Sequence, residues 1–166
     1  MKFLLIDKIE SLEIGKKIVT SKNLSLAEEY LADHFGPFPI MPGVLMLEAM
    51  TQSAAWLVRL EQDFANSIVV LKTARNLRYS WMVQPGDTLR CEVELVSIND
   101  EVAKFKAFGY NGDKLAVQCK LELTWKSLAD QGNWGKDADQ RIKDQLRDYW
   151  SLIGGKKLLE NSGKSL

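Results

Sequence analysis

The chain has 166 residues, which suits one domain with a sizeable hydrophobic core and leaves no room for a second enzyme domain. Lysine plus arginine and aspartate plus glutamate number 22 each, so no overall charge attracts a nucleic acid or a membrane surface. Recognition of any partner must therefore come from local patches.

The chain begins with an apolar run that ends at Asp7. This run is too short for the core of a signal peptide or for a membrane span, so we expect a cytoplasmic protein with no membrane partner. The pattern that follows predicts a β-hairpin that turns at Gly15.

A long helix is predicted from Gly43 to about Asp63. It is apolar on nearly every face, which indicates a buried helix. Glu48 and Gln52 interrupt the apolar run and lie four residues apart on one face, where the amide can hydrogen-bond the carboxylate and orient it. Loss of hydration in such a helix favours the neutral carboxylic acid, so Glu48 is the candidate proton donor.

The start of this helix predicts an anion site. Pro42 presets the backbone angle, and Gly43 lets a ligand approach the main chain closely. The first amide N–H groups have no acceptor within the helix and lie at its positive end, so they suit an oxygen that gains negative charge. With His34, the chain's one histidine, as a base and Glu48 as an acid, the set fits proton abstraction beside a carbonyl.

Four further strands are predicted after the helix, because apolar and polar residues alternate there. Cys91 and Cys119 fall within these strands without metal-ligand spacing, which indicates core residues in a reducing compartment and no metal site. One apolar sheet face needs cover, and the long helix provides it in an α+β fold. The strands occupy residues 67–78, 89–95, 103–107 and 115–125, with a hairpin turn at 111–113.

The C-terminal extension, residues 127–166, has a different composition. Its first part is polar and turn-rich, which is typical of a linker. A helix is then predicted over 139–153, and residues 156–166 are expected to fray. The mixed charges favour a helix that docks on this protein or a partner over one that lies on a membrane. Its apolar stripe consists of Ile142, Leu146, Trp150 and Ile153.

The segment His34–Gln52 resembles the β-hydroxyacyl-acyl-carrier-protein dehydratases of the FabZ and FabA type, which have a His, a Pro-Gly pair and a Glu or Asp at the same spacing. Residues 2–25 look like their opening hairpin, and residues 84–95 look like a later Pro-Gly-Asp segment of theirs. The resemblance covers roughly residues 2–126, and residues 1–126 are taken as one domain. It implies a hotdog fold, an antiparallel sheet wrapped around a central helix, followed here by an extra C-terminal helix.

The resemblance also implies the reaction. Water would leave a 3-hydroxyacyl thioester to give a trans-2-enoyl thioester in fatty acid biosynthesis, with no cofactor. His34 would be the base and Glu48 the acid, while the Gly43 amide polarises the carbonyl. Glutamate at position 48 is similar to the FabZ branch, which does not isomerise the product. The expected substrate-contacting residues are Ile40, whose carbonyl would orient the histidine, Met41, Pro42, Val44 and Gln52.

The partners follow from the same resemblance. The acyl group would arrive on acyl carrier protein or coenzyme A, and the site would form across a homodimer, with hexamers common in FabZ-type enzymes. Lys72, Arg75 and Arg78 are candidates for docking an acidic carrier, although strand alternation also explains them as solvated charges.

The chain departs from the family pattern in several places, including the loop after His34 and the segment before residue 3. Gly36-Pro37 follows Phe35 where the family has Pro-Gly, and the helix that usually precedes residue 3 is missing. A hotdog thioesterase and a catalytically silent acyl-binding or assembly subunit therefore stay open as alternatives. For Glu48, the alternative role is a structural carboxylate paired with Arg59 or Arg78.

Overall fold

The structure is a computed structural model that describes residues 4–32, 34 and 36–161. Two short 3-10 helices, Glu29–Leu31 and Leu128–Gln131, accompany its longer elements. No helix in these ranges is both long and apolar enough to cross a membrane. The longer elements are β1 (Lys8–Glu13), β2 (Lys17–Asn23), α1 (Gly43–Glu61), β3 (Ile68–Tyr79), β4 (Thr88–Ile98), β5 (Ala103–Asn111), β6 (Lys114–Lys126), α2 (Asn133–Leu152) and α3 (Gly155–Asn161).

The described strands form one antiparallel sheet in the order β1-β2-β4-β5-β6-β3. Cys91, Phe105 and Leu121 are buried on its inner face, while Lys106 and Lys120 alternate with them and are exposed. Helix α1 contacts β2 through β6, so the sheet wraps around it. The predicted α+β fold and strand alternation are confirmed.

The hairpin turns lie where the sequence predicts them. Gly15 (φ 72°) lies between β1 and β2, and Gly112 (φ 56°) lies between β5 and β6. Both have left-handed backbone, which glycine adopts at little cost. Cys91 and Cys119 are free thiols buried in the core.

Helix α1 is buried on most of its surface, as predicted. Met46, Met50 and Trp56 belong to the core, and the Ser53 hydroxyl lies 2.7 Å from that of Thr20 on β2. The helix ends at Glu61, two residues before the predicted end. The helix cannot continue through residues 63 and 64, because their φ values of 48° and 56° are left-handed.

The C-terminal extension holds more helix than its composition suggests. Helix α2 begins at Asn133, six residues before the predicted start. Gly132 (φ 85°) makes the turn into it, and Gly135 packs against the carbonyl oxygen of Leu128. A Cβ at position 135 would lie only 2.1 Å from that oxygen, so this glycine permits the tight turn. The segment expected to be a linker is therefore folded.

Helix α2 packs on the end of α1. The ring of Trp150 lies 5.2 Å from that of Trp56, and Ile153 is also buried. Leu146 and Ile142 are half-buried, and Leu146 packs against the core. The predicted docking of this apolar stripe on the body is confirmed.

Residues 156–161 continue as α3, where the sequence predicts fraying. Leu159 is buried, and Gly155 lies so close to Trp150 that a Cβ would meet its ring at 2.1 Å. Packing against α2 thus supplies the stability that the polar composition does not indicate. The remainder of the predicted frayed end, residues 162–166, lies outside the described residues.

A buried carboxylate joins α2 to the end of β6, and we expect it to make stability acid-sensitive. Burial alone raises the pKa of Asp139, but hydrogen bonds from Lys143, Ser67, Ser127 and the Leu128 amide outweigh it and hold the pKa well below the usual value. The stabilisation is therefore complete above the unfolded pKa of about 3.9 and is lost as pH falls below it.

The acid sensitivity can be checked with Asp139→Asn in thermal melts from neutral pH down to about pH 3. The variant should melt lower than the unchanged protein near neutral pH, and the difference should shrink in acid. Asp137→Asn, at an exposed position of the same helix, is the matched control and should leave the profile unchanged. A difference independent of pH would contradict the assignment.

Candidate active site

His34 lies in the loop between the first 3-10 helix and α1. It is half-buried, and its amide donates to the carbonyl oxygen of Leu31 at 3.4 Å. The 3-10 helix that precedes this loop is tied to β2, because Lys22 of β2 lies 2.8 Å from Glu28 at the start of that helix, and Lys22 also lies 3.2 Å from Asp7. Burial lowers the pKa of Lys22, but the interactions with these two carboxylates outweigh it and raise the pKa, so Lys22 stays charged at neutral pH. The histidine is thus carried by an anchored segment.

Helix α1 begins at the predicted Pro-Gly pair. The amides of Leu45 and Met46 donate to the carbonyl oxygen of Pro42 at 2.9 and 3.2 Å. The amides of Gly43 and Val44 precede these and belong to the first turn, where a helix provides no acceptor. They therefore offer donors at the positive end of the helix dipole.

Tyr79, at the end of β3, packs on Gly43. A Cβ at position 43 would lie 2.9 Å from two carbons of the tyrosine ring, so the site admits only glycine without movement of Tyr79. Burial raises the pKa of Tyr79, which keeps its hydroxyl protonated near neutral pH. Tyr79 does not stand out in the sequence, because only the β3–β6 pairing brings it to the helix start.

The expected pairing of Glu48 with Gln52 is present. The Gln52 Nε2 donates to Glu48 Oε1 at 3.0 Å, and Gln52 Oε1 accepts from the Leu5 amide at 3.0 Å. Because a backbone amide only donates, Leu5 fixes which end of the Gln52 amide faces Glu48. The carboxyl group is half-buried.

The alternative structural role for Glu48 receives no support. No ion pair joins it to Arg59 or Arg78 in the described part of the chain. Arg59 lies over the ring of Trp56, 5.1 Å from its centroid, and burial lowers the pKa of its guanidinium to about 10. Arg78 is exposed on β3.

The other expected substrate-contacting residues surround the helix start. Met41 is buried, and its amide donates to the carbonyl oxygen of Val83 at 2.8 Å, which fixes the chain before Pro42. Ile40 is half-buried, whereas Val44 is 69% exposed. The segment therefore presents both a fixed backbone and an exposed apolar side chain.

An apolar cleft adjoins this region through Tyr79. Its volume is about 530 Å³. Exposed apolar groups of this kind mark ligand or protein contact surfaces. The apolar residues that line the cleft do not stand out in the sequence, because an exposed apolar residue looks like a core residue in a linear pattern. The lining residues are Phe38, Tyr79, Ser80, Trp81, Met82, Gln84 and Asp87.

The three candidate docking residues are exposed on β3. Arg75 lies 3.9 Å from Glu122. The outer face of the sheet has two concavities, one lined by Arg78 and the other by Arg75, and Lys72 lines neither of them. Strand pairing brings three lysines beside the arginines. These lysines could not be grouped with the arginines from the sequence, because they belong to other strands. We call this set the basic surface: Arg75, Arg78, Lys104, Lys106 and Lys120.

Comparison with known proteins gives a family match. The model of the FabA-like domain matches residues 1–120. The 3-hydroxyacyl-[acyl-carrier-protein] dehydratase FabZ of Pelotomaculum thermopropionicum is 41% identical over 119 residues, which cover 72% of this chain and 85% of the relative. The dehydratase of the same name from Clostridioides difficile is 38% identical over 121 residues, which cover 73% of this chain and 84% of that protein.

Solved structures share the fold. A dehydratase heterocomplex from Xenorhabdus doucetiae matches with a TM-score of 0.58 at 17% identity, covering 74% of this chain and 83% of that chain. A thioesterase variant from Pseudomonas aeruginosa matches with a TM-score of 0.57 at 9% identity, and the match covers 71% of this chain and 79% of that chain. At these identities the likeness extends to architecture alone, and it confirms the predicted hotdog fold.

Proposed function

The chain belongs to the FabA-like family, and we propose on that premise which residues perform its chemistry. The protein is a 3-hydroxyacyl-[acyl-carrier-protein] dehydratase of fatty acid biosynthesis, a hydro-lyase that forms a 2-enoyl thioester. The observation that best supports the residue roles is the Glu48 carboxyl group held by Gln52, on the helix that begins at Gly43.

In the proposed mechanism, His34 removes a proton from carbon 2 of the substrate. The Gly43 amide donates a hydrogen bond to the thioester oxygen as it gains negative charge. The electron pair then forms the double bond between carbons 2 and 3, and the hydroxyl leaves carbon 3 with a proton from Glu48. Transfer of the histidine proton back to Glu48 restores the resting enzyme.

Substrate binding is assigned to the residues around the helix start. The carbonyl of Ile40 orients the imidazole of His34, and Met41, Pro42 and Val44 contact the thioester and the first carbons of the acyl chain. The apolar side chains of the neighbouring cleft are suited to shield such a substrate from water. The free cysteines fit our proposal that the enzyme works in a reducing cytoplasm.

We propose that a homodimer is the minimum active unit, with His34 of one subunit facing Glu48 of the other. Strand β3 is an edge strand of twelve residues, and such an edge offers unpaired backbone groups to a second strand. The exposed apolar side chains beside its end, including Tyr79 and Trp81, support burial against a partner. A hexamer built from three such dimers is the larger assembly to look for.

The reaction type is tested by product analysis. We expect 3-hydroxyacyl thioesters to lose one water in mass spectrometry while the thioester stays intact. Release of free acid would identify thioesterase activity instead, and binding without turnover would identify an acyl-binding subunit. Substrates of several chain lengths, on both acyl carrier protein and coenzyme A, would define specificity.

We propose that the basic surface, together with Lys72, docks the acidic carrier protein. Five basic side chains converge on two concavities of about 370 and 470 Å³, with Glu122 the one carboxylate among the residues that line them. Such a patch favours an acidic partner although the net charge of the chain is zero.

Charge reversal at this surface should separate the two forms of substrate. We expect Arg78→Glu or Lys106→Glu to raise KM for carrier-bound substrate about tenfold and for the coenzyme A thioester less than about twofold. Lys136→Glu, at an exposed position of α2, is the control and should change neither value. Equal effects on both substrates would argue against docking here.

A further inference from the structure

The C-terminal extension reaches the catalytic helix, although the family match ends at residue 120. Three residues of α1 lie at intervals of four and therefore along one side of the helix, namely Glu48, Gln52 and Trp56. Ser53 points to the sheet, because its hydroxyl meets Thr20 of β2. At about 100° per residue, Glu48 projects about 140° around the helix from Ser53. Helix α2 covers Trp56, farther along α1.

The segment of residues 4–6 covers the middle of the same side. It precedes β1, and both Leu5 and Ile6 are buried, with exposures of 3% and 1%. Buried backbone groups require hydrogen-bond partners within the protein. The Leu5 amide donates to the side chain of Gln52, and the Ile6 carbonyl oxygen accepts a hydrogen bond from the hydroxyl of Tyr149 on α2.

The extension also holds β1, the strand that follows this segment. The Ile9 amide donates to the carbonyl oxygen of Ile153 at 2.9 Å, just after the end of α2. Burial raises the pKa of Tyr149 to about 12, so its hydroxyl remains a donor throughout the neutral range. The aromatic ring of Tyr149 lies 5.9 Å from that of Trp56, which fixes the direction of the hydroxyl.

We propose that Tyr149 is a positioning residue for Glu48 and acts through residues 4–6 and Gln52. The hydrogen bonds run from Tyr149 to Ile6, from Leu5 to Gln52 and from Gln52 to Glu48. The Ile6 carbonyl and the Leu5 amide belong to adjacent residues, so release of one lets the other move. The inference rests on the proposed role of Glu48 as the acid.

This arrangement selects the oxygen that carries the proton. Because Gln52 donates to Glu48 Oε1, that oxygen acts as an acceptor, and Oε2 is left as the oxygen from which the proposed acid would donate its proton. A Gln52 side chain released by Leu5 would no longer hold the carboxyl group in this orientation. Proton transfer to the leaving hydroxyl would then occur from fewer productive conformations.

The test is Tyr149→Phe, which keeps the ring and removes the hydroxyl. We expect kcat to fall about tenfold and KM to stay within about twofold, measured well below the melting temperature. In a Gln52→Ala background, the same substitution should produce no further loss, since the connection to Glu48 is already broken. Two results would overturn the proposal. One is a kcat for Tyr149→Phe equal to that of the wild type, and the other is a fall in kcat on Tyr149→Phe that is as large in the Gln52→Ala background as in the wild type.

Trp150→Phe provides the structural control. Trp150 packs on the same Trp56 ring but makes no hydrogen bond to residues 4–6 in the described structure, so its replacement should lower stability and leave kcat unchanged. Loss of kcat in this control equal to that of Tyr149→Phe would assign the effect to packing and overturn the proposal. Failure of the acid assignment is distinguishable, because Glu48→Gln would then retain turnover.

Discussion

Replacing His34 by alanine or Glu48 by glutamine lowers turnover about 100-fold or more, because each change removes a proton-transfer group. The fold should stay intact in both variants. Glu48→Gln preserves the size of the side chain, so stability should change little. Turnover is measured from the loss of water by a 3-hydroxyacyl thioester, and folding from circular dichroism and melting. Glu61→Gln, at an exposed position of the same helix, is the control. Near-normal dehydration by either variant would refute its assigned role.

The same two variants test whether subunits share the site. In a statistical mixture, half of the dimers pair one His34→Ala chain with one Glu48→Gln chain. Each such dimer holds one site with both native residues, so about a quarter of wild-type activity should return on mixing and refolding. A site contained within one chain would show no recovery.

The second large effect is expected on stability. Trp150→Ala should lower the free energy of unfolding by about 3–5 kcal/mol, because it leaves a cavity where a large buried ring now packs. The side chain is 1% exposed, between Trp56 and the backbone of Gly155. Chemical denaturation monitored by circular dichroism measures the change.

Trp134→Ala is the matched control, since this tryptophan lies on the same helix and is 65% exposed. It should change the free energy of unfolding by no more than about 0.5 kcal/mol. Truncation after Trp125 extends the test, because it removes the whole extension and uncovers Trp56 and the buried segment of residues 4–6. An unchanged melting temperature, mass in solution and activity after truncation would show that the extension is not part of the folded unit.

The sequence alone was sufficient for the architecture. Alternation along the strands follows from the two faces of a sheet, and the apolar run of α1 follows from burial on most sides. The Glu48–Gln52 pair was also predictable, because a spacing of four residues places side chains together on any α-helix. The stripe on α2 likewise predicted that this helix must dock.

Contacts between distant residues required the tertiary structure. The sequence predicted that α2 docks, but Trp56 as its target and Ile6 as the acceptor for Tyr149 depend on the packing of several elements. The tyrosine over Gly43 comes from strand pairing far along the chain.

The basic surface could not be predicted from the sequence for the same reason. The register of strand pairing brings lysines of β5 and β6 beside the arginines of β3. Local spacing determines which residues share one face of an element. The relative placement of elements decides which faces meet, because it depends on the packing of the whole core.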